Sequence, residues 1–328
     1  MKKTKVVIIG AGAGGLGTAC WLKNFGVDFV VIDAAKELTK NLHNGVHYLH
    51  SRPNLPYDFE FDLKEITLTD GIIDKYGDIK HNWNLQDILE YSEKVREIQH
   101  PSSIMDIGKR DMVYMPSSNT LNTLIEKMYD YAGKENFIFG ETITNINRDT
   151  KEVVTEKGLV INYDYLVSTM PLNIFQGFFR LNDEYKSNPI FVTNFKLDKI
   201  VPNWLINLYI PDSHSNIYRG SILNSLLSVE SIDDFANEEY VKFVFKMFHI
   251  KEKLNEYEWK TGKVISIDMD KRLELIELFR KYDCFSLGRF GMWNRKLLID
   301  STINQAQLIA SNIANTKDWN TIKFELMK

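Results

Sequence analysis

Gly10, Gly12 and Gly15 stand at the spacing G-x-G-x-x-G, with Gly14 inside it, and an acid, Asp33, follows about twenty residues on. Each glycine has a physical task in a turn that holds a dinucleotide. Gly10 permits the tight turn. Gly12 lets the backbone approach a pyrophosphate with no Cβ in the way. Gly15 lets the following helix pack closely on the strand before it. The helix N-terminus would present free N–H groups and its positive dipole end to the phosphates. Asp33, with Ala34 beside it, would accept hydrogen bonds from ribose hydroxyls. A carboxylate there disfavours a 2′-phosphate, so NADP is the poorer fit.

Three other groups of residues could carry chemistry. His43, His47 and His50 crowd one stretch with Gly45, Tyr48, Ser51 and Arg52. An imidazole beside a cofactor ring or substrate could donate a hydrogen bond or carry a proton at neutral pH. Three histidines can also suggest a metal, but no Cys or acidic ligand accompanies them, and none is expected. Arg219, after Tyr218, offers a planar fork that suits a phosphate or carboxylate, which makes it the candidate for a substrate anion. Near the end of the chain, Gly288 and Gly291 flank Arg289 in a second glycine turn, with Trp293 just beyond. Such a turn adds backbone N–H groups that an anionic cofactor could use.

These residues need a scaffold, and the surrounding pattern supplies one. Residues 6–9 are a wholly apolar, β-branched run, the mark of a strand buried on both faces of a parallel sheet. Residues 16–25 read as a helix ended by Gly26, and 29–32 as a second buried strand closed by Asp33. Residues 38–56 read as a loop, and 57–100 as a mixed lobe with helices, one of them over 84–99. Residues 118–132 carry one apolar stripe, with Ser117 or Ser118 as the cap. Strands are expected at 136–139, 142–146 and 164–169, with a hairpin over 153–161. Several more fall within 190–250. Residues 284–287 then form a strand, 288–294 a turn and 300–314 a helix.

The bulk composition sets limits. A chain of 328 residues suits two interleaved lobes rather than one small core. A formal net charge of −4 argues against holding nucleic acid by bulk charge, although a local basic groove would still permit it. Two cysteines, Cys20 and Cys284, sit in no pair or cluster, so a reducing, cytoplasmic setting is expected. No run of eighteen apolar residues occurs, so no membrane span is expected.

Four segments in this order, the glycine turn, Gly140 to Ile146, Tyr165 to Pro171 and Leu287 to Trp293, resemble the flavin-containing amine oxidase and protoporphyrinogen oxidase superfamily. Within it, the segments Asn203 to Pro211 and Ile217 to Arg219 are similar to the UDP-galactopyranose mutase-like branch. The resemblance implies an α/β fold: a Rossmann-like FAD-binding domain, with a parallel sheet and βαβ unit, interleaved with a substrate lobe of mixed sheet and helices. The FAD-binding parts would be residues 1–55, 116–175 and 271–328. A helical substrate lobe would span 56–115 and a substrate-binding sheet lobe 176–270.

The resemblance also implies roles. FAD would lie on Gly10 to Gly15 and Asp33, with Ile143 by the adenine and Gly288, Arg289 and Trp293 on the C-terminal side. The histidine stretch would run beside the flavin ring, which makes His47, His50 and Arg219 the catalytic candidates. The mutases carry tyrosines and an aspartate just after the last glycine motif, where this chain reads Asn294 to Asp300 with Arg295 near an expected Tyr. The substrate is therefore expected to differ.

Three functions follow. One is an FAD-dependent oxidoreductase or lyase taking a hydride from a carbon next to nitrogen, on a small molecule or a nucleobase of the kind modified in phage-type DNA. A second is a mutase-like enzyme acting on a nucleotide sugar, with reduced flavin as nucleophile. A third is a flavin-binding protein without turnover.

Overall fold

The computed structural model describes residues 2–3, 6–39, 45–80, 83–95 and 110–326. His43 and the last part of the expected 84–99 helix lie outside the described residues. In chain order the first elements are β1 (Lys2–Lys3), β2 (Val6–Ile9), α1 (Ala13–Asn24), β3 (Phe29–Asp33), β4 (Leu63–Ile73), β5 (Ile79–Lys80) and α2 (Leu85–Lys94). There follow β6 (Arg110–Pro116), α3 (Asn122–Ala132), β7 (Phe137–Phe139), β8 (Ile143–Asn147), β9 (Glu152–Thr155), β10 (Val160–Asn162), β11 (Tyr165–Ser168) and α4 (Leu172–Phe175). Last come β12 (Ser187–Tyr209), β13 (Ile217–Ser231), α5 (Glu238–Val244), β14 (Ile250–Val264), α6 (Met269–Arg280), β15 (Cys284–Ser286), α7 (Gly288–Gly291), α8 (Ile299–Ile313) and α9 (Trp319–Leu326).

The apolar β-branched runs form an all-parallel sheet in the order β15-β11-β2-β3-β7. Side-chain alternation explains why both faces are covered. Val6 and Ile8 of β2 join a core with α1, α3 and α8, while Val7 and Ile9 join one with the β8–β10 meander and α6. A strand with apolar neighbours on both sides has no polar face, hence the unbroken run. The order reverses at β2, with β3 on one side and β11 on the other. Such a reversal opens a crevice beyond the strand C-termini, where the glycine turn lies.

The second sheet runs β13-β12-β4-β5, with β6 added to β4 and β14 to β12. β12 is 23 residues long. It pairs antiparallel with β13, and its other edge takes β14 along the first half and β4, in parallel, along the second. β13 doubles back on itself. Asn224 within it has φ +55°, and the facing part of β12 shifts register between Lys196 and Leu205. Arg219 and Glu230, eleven positions apart on this strand, touch through their side chains, whereas eleven extended residues span about 36 Å. The Ile232 N–H also donates to the Asn216 carbonyl at 3.0 Å.

Three element boundaries differ from expectation. α3 starts at Asn122, because Ser117 donates to Asp62 and Ser118 bonds Thr120 and Thr123 instead of capping. α2 ends at Lys94, though it starts where expected: Asn84 and Asp87 form a reciprocal capping box. The turn over 288–294 contains a single helical turn, α7. The lobe expected to hold helices over 57–100 is led by the eleven-residue strand β4.

Candidate functional site

The glycine turn is built by close approaches. The Gly10 N–H donates to the Ile32 carbonyl at 2.8 Å, and its φ of +100° is a conformation that favours glycine. A Cβ on Gly15 would lie 1.8 Å from the Gly10 carbonyl oxygen, so only glycine lets α1 start here. A Cβ on Gly14 would meet Leu287 at 2.9 Å and Thr302 at 3.0 Å, so Gly14 admits the C-terminal segment. Gly12 differs: a Cβ there would meet nothing within 4 Å. It caps α1 with no side-chain bond and no acid in the first turn, which leaves the first N–H groups to water or a ligand.

Asp33 has a second task. Its carboxylate accepts from the Ala11 N–H at 2.6 Å and the Ala35 N–H at 2.7 Å, which ties the turn to the end of β3. Ala34 is exposed and Ile143 half-buried beside this strand end, where the Glu141 N–H donates to the Asp33 carbonyl.

Beyond the turn lies a cavity of about 470 Å³. Gly12, Gly14, Thr169, Gly288 and Arg289 line it from the parallel sheet, and Arg219, Glu230, Trp259 and Lys263 from the second sheet; His47, Tyr48 and His50 line it from the loop. Of the expected site residues it thus gathers Gly12, Gly14, His47, His50, Arg219, Gly288 and Arg289. Gly10, Gly15, Asp33, Ala34 and Ile143 do not line it, and the first three act by shaping the turn. Trp293 does not line it either. It is fully buried in the core, with its indole N–H donating to the Lys186 carbonyl at 3.0 Å.

The loop is pinned on both sides. The Ser51 N–H and hydroxyl both donate to Asp300, at 2.8 and 2.7 Å, and Leu49 exchanges two backbone bonds with Tyr114. Asp300 is buried and holds the histidine loop to the start of α8. This fixes His47 against the cavity, with its ring centroid 5.8 Å from that of Trp259. Burial pushes the His47 imidazole down to about 4, with Glu230 opposing, so it is neutral at pH 7. Its Nε2 is buried and has no hydrogen-bond partner among the described residues. Burial also lowers His50, whose ring lies 4.9 Å from that of Tyr48. Among the described residues, no three His, Cys, Asp or Glu side chains gather to hold a metal.

The opposite wall is a charged cluster. Arg219 and Tyr218 each donate to one oxygen of Glu230. Burial works to discharge Arg219, but Glu230 and the surrounding tyrosines hold it well above its usual value. Burial likewise works to protonate Glu230, and Arg219 wins, keeping the carboxyl below its usual range. The Lys263 ammonium stands 3.9 Å from the centre of the Tyr218 ring. Among the described residues the cavity wall thus carries three cations, Arg219, Lys263 and Arg289, against one carboxylate. Glu230 and Lys263 were not legible as site residues, since nothing in their linear spacing marks them. Both reach the cavity through the bend of β13 and the pairing of β14.

No family model matches the chain, and no curated protein matches it in sequence. Solved structures do match in shape. Reduced UDP-galactopyranose mutase aligns at a TM-score of 0.73 and 16% identity, over 98% of this chain and 96% of that one. Putrescine oxidase bound to putrescine aligns at 0.61 and 10%, over 95% and 99%. HpxO of Klebsiella pneumoniae, complexed with FAD and uric acid, aligns at 0.60 and 14%, over 98% and 83%. At these identities the likeness is one of fold: a Rossmann-type α/β sheet joined to a second, mixed sheet.

Proposed function

We propose that the chain is an FAD-dependent enzyme acting on a small, oxygen-rich, anionic substrate. The observation that supports it most is the shared cavity: Gly12 and Gly288 line the same space as His47, Arg219 and Lys263. The residues fit the cofactor. Gly12 leaves open space where a pyrophosphate would need it, and the first turn of α1 is uncapped by side chains. Asp33, Ala34 and Ile143 would take the adenosine part, and Gly288 and Arg289 the pyrophosphate and ribityl chain. When bound, the flavin supplies hydride or electron-pair chemistry. The chain's own residues do the rest. Arg219, Lys263 and Arg289 attract and orient an anion. His47, neutral and half-buried, can hold or pass a proton near the ring.

The cation set bears on the choice among reactions. A protonated amine would meet three cations and one carboxylate whose oxygens already accept from Arg219 and Tyr218. A nucleotide sugar would meet complementary charge, and a nucleobase carbonyl would meet donors. The mutase-like reading therefore gains over hydride removal beside nitrogen.

The test begins with purified protein, which should be yellow; a colourless protein that takes up no FAD ends the proposal. Gly12→Val should keep the melting temperature of FAD-free wild type and lose FAD, since its side chain enters space that is empty among the described residues. Equal FAD occupancy in that variant removes the assignment of the turn. Turnover of UDP-sugars after dithionite reduction supports the mutase-like reading, and anaerobic bleaching by amines the other.

A further inference from the structure

Tyr48 lies between His47 and His50 in the histidine stretch and lines the cavity. Its hydroxyl is wired from behind. Asn207 of β12, fully buried, donates its side-chain N–H to the Tyr48 oxygen at 3.0 Å. The orientation of that amide is set by its neighbours. Its nitrogen faces Tyr48, and its oxygen accepts from the Ser221 hydroxyl at 2.8 Å. The Tyr48 oxygen is therefore an acceptor toward the protein. Among the described residues Asn207 is the one hydrogen-bond partner of that hydroxyl.

A tyrosine has one proton to give. With its oxygen engaged by Asn207, that proton is left for the cavity. Burial raises the Tyr48 hydroxyl above its usual value, against the pull of Arg219, so the proton is retained across the neutral range. We propose that Tyr48 is a substrate-binding residue of this cavity, donating its hydroxyl proton to an acceptor oxygen of the ligand, a carboxylate, phosphate or carbonyl. The nearby Arg219 charge favours an oxygen that carries negative charge, and it cannot compete for the proton, having no acceptor. This assignment rests on the reading of the cavity as a substrate site, and it adds which ligand group is read and by which atom.

The experiment compares wild type with Tyr48→Phe, each with and without added FAD, by titration calorimetry. The probes are UDP and benzoate, which carry acceptor oxygens, and benzylamine, a cation without them. Wild type should bind at least one acceptor probe. Tyr48→Phe should bind it about tenfold or more weakly, with FAD occupancy unchanged, only the small drop in melting temperature that an unpartnered Asn207 N–H causes, and no change toward benzylamine. Three results overturn the proposal: wild type binding neither acceptor probe, equal affinity in the variant, or a variant that loses FAD or its fold, which would make the hydroxyl structural. Failure of the cofactor reading shows separately, as absence of FAD binding while the probe titrations still report on Tyr48.

Discussion

At the glycine turn, apart from the Asp33 carboxylate, the fixed distances run between backbone atoms or toward Cβ positions that glycine leaves empty. Across the cavity, on the β12–β13 ribbon, they run between charged and hydroxyl side chains. The Gly10 carbonyl fills the place of a Gly15 Cβ, whereas Glu230 is reached by Arg219 and Tyr218 through long, rotatable arms. A backbone-built region states its requirement as residue type at fixed spacing. A side-chain-built region states it only through the fold that brings distant positions together. The first suits a cofactor fragment that is always the same, and the second can be rebuilt for a different substrate on an unchanged frame.

The sharpest way to test that contrast is Gly15→Ala. One methyl group 1.8 Å from a carbonyl oxygen cannot be absorbed by rotating a side chain. A loss above about 4 kcal/mol, seen as little soluble protein or a collapsed thermal melt, is expected. A variant that melts like wild type would mean the turn is softer than its geometry implies. Set beside Gly12→Val, whose fold should survive, it separates glycines that serve the protein from one that serves the ligand.

The polar wall should respond less steeply. Glu230→Ala leaves Arg219 charged in a largely enclosed place without its partner, at a cost of about 3 kcal/mol. Denaturant unfolding measures this, and a change below about 1 kcal/mol would mean that solvent or a rearranged tyrosine replaces the carboxylate. FAD occupancy should hold in this variant, because the turn is built elsewhere.

The smallest expected effect belongs to His47, which sits between the two regions. Its pKa falls from 6.5 unfolded to about 4 folded. Between those values the unfolded imidazole takes up a proton that the folded one refuses, so stability is full above 6.5 and declines as pH falls toward 4. His47→Asn should flatten that part of the profile in denaturant titrations at pH 7 and pH 5. Parallel profiles for the two proteins would place His47 in contact with water.

The unequal legibility of the chain follows from the same contrast. Val6 to Ile9, the glycines and Asp33 could be read because a buried parallel strand and a dinucleotide turn each impose a local pattern. Even there, spacing could not tell that Asp33 holds Ala11 and Ala35 in addition to any ribose. Trp293, adjacent to a cofactor-like glycine turn, lies instead in the core, since a large apolar ring is drawn into packing wherever the chain permits it. The Ser51–Asp300 link joins positions 249 apart, and no local rule announces it. Ser118 was a reasonable cap by type, but its hydroxyl found nearer partners in Thr120 and Thr123.

The doubling back of β13 has a consequence for encounters between molecules. In the sheet order β13 is terminal, and it is 15 residues long. A flat terminal strand of that length offers a row of unpaired backbone groups on which another chain can add, an opening to aggregation. The bend at Asn224 removes the flat row, and the Ile232–Asn216 bond turns part of it inward. The curvature that brings Glu230 to Arg219 thus also leaves a neighbouring molecule no straight template along β13.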